Sequence, residues 1–176
     1  MSAPATNMTV LAGKCFACVK IQGRANFTAS LDFNSLVTQL RERGCSYFII
    51  ELSECALMDS TFLGVLAGLG LKMNPENSEA ASCHVELLNA NPRITELLEN
   101  VGVLHLFKTS HGPLASPEKL EACAHEQVHG SREEITRTCL KAHENLMAAN
   151  PDNVARFKDV AKFLAEDLAR MKTAGS

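Results

Sequence analysis

Two short stretches of this chain place reactive side chains at spacings that could do chemistry. The first is Asp59-Ser60-Thr61, inside ELSECALMDSTFLGVLAGLGLK. An apolar, strand-like run ends just before it, and an apolar, helix-like run follows. Ser60 therefore falls where a helix opens. A group there meets free backbone N–H groups and the positive end of the helix dipole, which suits an anion. A phosphate on Ser60 would bring up to about two negative charges beside Asp59 and change the local surface sharply. The second stretch is HEQVH, residues His125 to His129. On a helix its two histidines would share one face and could bind zinc, with Glu126 as general base for peptide hydrolysis.

The surroundings of HEQVH argue against that use. Gly130 follows at once, and EKLEACA before it lacks the bulky apolar pattern of a buried active-site helix. His143 or Glu144 would have to serve as the third ligand, and neither spacing fits. The segment reads as solvated. A zinc-dependent peptidase using His125, Glu126 and His129 is the remote enzyme alternative, and Cys123 with the two histidines could bind metal adventitiously. Cys15 and Cys18 form a Cys-x-x-Cys within a strand-like run, so their side chains should point to opposite faces. No metal site and no cofactor is expected, and the chain reads as a protein that is not an enzyme.

The helix after Ser60 has unusual content. Lys72 is its only charge before Asn74. One apolar face can lie on a sheet, and the other marks a partner site unless something covers it. Phe62, Val65 and Leu66 would supply that site if they face outward. Gly64, Gly68 and Gly70 each cost about 1 kcal/mol relative to alanine in a helix interior. They persist where a backbone must approach a neighbour closely.

Strands and helices alternate around this segment. Lys14 to Gly23 reads as a strand, and Leu36, Val37 and Leu40 mark a helix that stops at Gly44. Ser46 to Leu52 is a nearly continuous apolar run, as in a central strand covered on both faces. NPENSEAAS is a polar turn, and Cys83 to Asn89 is another strand. A short helix runs from Pro92 to before Gly102, and Leu104 to Ser110 forms an edge strand. This order predicts an α/β domain over residues 1–112, with a mixed, mostly parallel sheet and packed helices. Residues 113–130, rich in proline and glycine at their start, form a linker or short helix. Residues 131–176 form a C-terminal helical hairpin. Ser131 and Glu134 make a capping box there. Ile135, Cys139, Ala142 and Leu146 mark one helix face, and Asn150-Pro151 starts the next helix. Val154, Phe157, Ala161, Leu164, Leu168 and Met171 form a stripe. The hairpin should pack on the domain or on a second copy, which would make a homodimer.

Composition narrows the function classes. Hydrophobic residues make up 46%, enough for a packed core, and the net charge is −3. No basic stripe points to nucleic acid. No apolar run reaches the ~18 residues a membrane span needs. Seven cysteines without a signal-peptide pattern suggest reduced thiols and a cytoplasmic protein.

MDSTFLGVLAGL resembles the phosphoacceptor segment of STAS domains, the family of anti-sigma factor antagonists. Glu51, Leu52 and Ser53 match the strand end, and Asp59, Ser60, Thr61, Leu63 and Gly64 match the loop and helix start. GRAN, Gly23 to Asn26, resembles the family's turn before the first helix. Phe62 stands where the family usually has glycine, and Asn26 where aspartate is common. The resemblance runs from about residue 8 to residue 110. It implies a partner-switching cycle in signal transduction and transcription regulation. A kinase-type anti-sigma factor of the histidine-kinase-like ATPase fold binds the unmodified domain and phosphorylates Ser60. A PP2C-type phosphatase reverses this, and the unmodified form frees a sigma factor. Asn26, Asp59, Thr61, Phe62, Gly64 and Val65 are the partner-binding candidates. A docking or oligomerisation module without phosphorylation is the alternative.

Overall fold

The computed structural model describes residues 6–74 and 84–174. The polar turn read at residues 75–82 and the strand residue Cys83 lie outside the described residues.

The chain opens with an antiparallel pair, β1 (Asn7–Ala12) and β2 (Phe16–Ala25). α1 (Phe27–Glu42) leads to β3 (Tyr47–Glu51), and β4 (Cys55–Met58) leads to α2 (Ser60–Lys72). After β5 (His84–Leu88) come α3 (Pro92–Asn100), a 3-10 turn at Leu104–Leu106 and β6 (Lys108–Ser110). A two-residue strand, β7 (Glu121–Ala122), precedes α4 (Arg132–Ala149) and α5 (Asn153–Ala174). The sheet order is β6-β5-β3-β2-β1-β7, with β4 paired to β2. β2, β3, β5 and β6 run parallel, and β1 and β7 are antiparallel additions. This is the mixed, mostly parallel α/β sheet that the alternation of elements predicts.

Side-chain alternation explains the layering. Ala17, Val19 and Ile21 of β2, Phe48 and Ile50 of β3, and Val85 and Leu87 of β5 enter one core with Phe33, Leu36 and Leu40 of α1 and Phe62 and Leu66 of α2. The intervening Cys18, Ile49 and Leu88 form a smaller cluster on the other face, closed by Leu11, Tyr47 and Leu120. Burial pushes the Cys18 thiol up to about 11. Cys15 lies just before β2 and is exposed while Cys18 is buried, so this Cys-x-x-Cys faces two environments. No described helix is long and apolar enough to cross a membrane.

Three strands have weak sequence signals. β1 is half exposed, β4 has four residues and β7 has two. Residues 113–130 contain no helix. They form a strap that holds the domain through backbone-directed bonds. Glu118 Oε1 accepts from the N–H groups of Cys15 and Phe16 at 2.8 Å each. Asp32 of α1, itself buried, accepts from the Val128 N–H.

Candidate functional site

The end of β2 and the start of α2 meet at one corner. Asp59 N–H donates to the Ala25 carbonyl at 3.0 Å, which fixes the two turns side by side. Asn26 then caps α1, its side chain accepting from Ala29 N–H at 3.1 Å. Asp59 caps α2, accepting from Phe62 N–H at 2.8 Å. Both caps satisfy an N–H group that a helix start leaves free. GRAN and MDST, distant in sequence, thus build one surface.

Ser60 is the first residue of α2 and is half-buried. Its Oγ lies 3.0 Å from Nε2 of His143, on α4. Nδ1 of the same ring lies 2.6 Å from the Cys139 carbonyl, which can only accept. Nδ1 therefore carries the hydrogen, and Nε2 is left to accept the Ser60 hydroxyl proton in the neutral tautomer. His143 is 5% exposed, and its ring meets Phe157 of α5 edge-on at 5.3 Å. Thr61 donates to Cys139 Sγ at 3.6 Å.

The next two turns of α2 are covered as well. A Cβ at Gly64 would stand 2.2 Å from the Ala142 carbonyl oxygen, and one at Gly68 would stand 2.3 Å from Asn145 Nδ2. Asn145 Nδ2 donates to the Gly64 carbonyl at 3.1 Å. Every residue from Thr61 to Gly70 is buried. α4 is what closes the side of the helix that the sheet does not. The hairpin is also fixed beyond α3, where Asn153 donates to the carbonyls of Val101 and Leu146 at 2.8 Å each.

These positions bear on several expectations. Phe62 does not face outward. It is fully buried, with its ring 5.1 Å from that of Phe33, so the bulk at this position serves the core. Thr61 and Gly64 lie against α4, and Val65, also buried, lines the groove beside it. Asn26 and Asp59 remain at the rim as caps. The hairpin packs on its own domain. HEQVH is not helical, so His125 and His129 do not share a helical face, and Glu126 has no such site to serve. No group of three metal-ligating side chains is assembled among the described residues.

Sequence spacing singles out His143 only as a badly placed third zinc ligand. Its real signal is position: it sits four residues after Cys139 and next to Ala142, on the edge of the apolar face of α4.

The model of the STAS domain family matches residues 8–113. The chain belongs to that family. The STAS match ends before the strap and hairpin, which lie outside it. Among solved structures, an anti-sigma factor antagonist from Mycobacterium paratuberculosis superposes with a TM-score of 0.50 at 14% identity, over 62% of this chain and 89% of that one. The anti-sigma factor antagonist SpoIIAA in its unphosphorylated form gives 0.48 at 16% identity, over 60% of this chain and 88% of its own. The phosphorylated form of the Bacillus cell fate determinant SpoIIAA gives 0.45 at 16%, over 60% and 91%. At these identities the likeness is one of fold.

Proposed function

We propose that this STAS chain is a cytoplasmic regulatory switch of the anti-sigma factor antagonist type, and not an enzyme. It binds a kinase-type anti-sigma factor of the histidine-kinase-like ATPase fold, is phosphorylated on Ser60 and is reset by a PP2C-type phosphatase. The observation that carries the reading is the place of Ser60, the first residue of α2 beside the Asp59 cap. In the reaction, the Ser60 hydroxyl attacks the terminal phosphorus of ATP held by the kinase. A P–O bond forms, the bond to ADP breaks, and the hydroxyl proton passes to water. The helix N-terminus tolerates the resulting anion. A dry partner interface does not, because an unpaired buried charge costs several kcal/mol against the ~8 kcal/mol of a micromolar complex.

Phosphopeptide mapping of the protein from its native cells tests the reading. Phosphate is expected on Ser60 and not on Thr61, which is 6% exposed and bonded to Cys139. Phosphate on Thr61 alone, or nowhere under any growth condition, overturns it. The bond from Ser60 to His143 favours one second reading, a STAS docking module whose serine is never phosphorylated. The same mapping separates the two.

A further inference from the structure

We propose that the outer face of α2 is a seat for a single helix, that α4 is its resident occupant, and that α4 must leave the seat before a kinase can modify Ser60. The link to Ser60 phosphorylation rests on the function proposed above; the seat itself does not.

The seat is defined by what is missing from it. Gly64 and Gly68 stand one helical turn apart, on one row of α2. A Cβ at either would run into α4, and at Gly64 the three nearest atoms all belong to Ala142. The absent side chains let a second backbone come close enough for Asn145 to reach the Gly64 carbonyl. A flat surface or a loop tip could not fill so narrow a slot along a helix. A helix can, provided it has a small residue at the crossing, as α4 has Ala142, and an apolar one a turn later, as α4 has Leu146. Both are 0% exposed.

The occupant can leave without unmaking the sheet. The sheet is complete without α4, and the strap joining hairpin to domain has no helix and only the two residues of β7 in the sheet. The fit is also imperfect. A groove of about 210 Å³ is left between α1, α2 and α4, lined by Arg41, Lys72, Lys141 and Arg137, the last of these paired with Glu133. Seating α4 thus brings Lys141 towards Arg41 and Lys72 at the ends of α1 and α2. The Ser60 hydroxyl is engaged by His143 of the seated α4 at 3.0 Å, and that bond must break before the hydroxyl can attack ATP. The seated hairpin thus competes with the kinase for the Ser60 hydroxyl, so the kinase acts on the open form.

Two full-length variants test this. Gly64→Ala should unseat α4 while sparing the core, since its new methyl group points at Ala142. Amide hydrogen exchange should quicken about tenfold or more along α4, with β2, β3 and β5 unchanged. Thr61→Cys places a thiol against Cys139 and, once oxidised with glutathione disulfide, locks α4 down. The 61–139 link is confirmed by mass spectrometry. In an extract of the native cells supplied with ATP, Ser60 phosphorylation should rise in Gly64→Ala. It should fall about tenfold or more in the locked protein, and return with dithiothreitol. Unchanged exchange along α4 in Gly64→Ala overturns the proposal, as does sheet protection lost together with that of α4. So does a locked protein phosphorylated at the wild-type rate. If Ser60 stays unmodified in every sample, Gly64→Ala included, the phosphorylation reading fails, and the exchange result alone decides the seat.

Discussion

HEQVH and His143 lie on either side of the Ser131–Glu134 capping box, and the contrast between them concerns what a histidine needs before it can act. His125 and His129 have motif spacing but no helix to turn it into a shared face. His143 has no motif and a complete environment. A carbonyl fixes one ring nitrogen, a serine takes the other, and Phe157 closes the edge. Spacing gains chemical meaning only through the secondary structure that carries it, whereas burial with both nitrogens engaged carries meaning without any pattern.

The largest expected effect tests whether the His143 side of this contrast is held by packing. Leu146→Ala, at a fully buried anchor of α4, should cost about 2 to 5 kcal/mol, read as a lower denaturation midpoint or as early release of the hairpin. A cost under about 0.5 kcal/mol would mean that the hairpin is not packed as described. His143→Ala should cost about 1 to 3 kcal/mol by chemical denaturation, since it removes a ring bonded at both nitrogens. A double-mutant cycle with Ser60→Ala should return a coupling of about 1 kcal/mol, and a coupling of zero would erase the distinction between the two regions.

A smaller effect concerns the strap that carries HEQVH. The N–H groups of Phe16 and Cys15 hold the half-buried Glu118 carboxylate below its usual range. Its contribution is therefore present above the ordinary carboxylate pKa and fades as pH falls through the lowered value. Glu118→Gln should flatten the acid end of the stability curve slightly, and an unchanged acid limb would remove the strap's charge from consideration. The smallest effects are those of His125→Ala and His129→Ala, each within about 0.5 kcal/mol of wild type. Stoichiometric zinc lost with His125→Ala, together with casein cleavage lost with Glu126→Gln, would reverse the contrast.

The fold was largely legible because its signals are local. Alternating apolar positions in β2, β3 and β5, the capping box of α4 and the Ser60 start of α2 each announce themselves within a few residues. β1, β4 and β7 did not, since strands so short or so exposed acquire order from their neighbours. At the site, the glycines of α2 correctly signalled close approach, but nothing local names the approaching helix. Phe62 illustrates the limit: a bulky residue at a helix start could face either way, and only the position of Phe33 decides it. His143 was hidden for the same reason, because its partner lies far back in the chain.

The two ends of the sheet have a consequence for how copies of this protein can meet. Among the described residues β6 has three residues and β7 two, and β7 pairs only with Leu11 and Ala12 of β1, so the outermost ladders are short. Open backbone edges are a common route to uncontrolled polymerisation, and short outer strands are one way to blunt them. Association between copies therefore falls more to side-chain surfaces, where the sequence can specify or forbid it residue by residue.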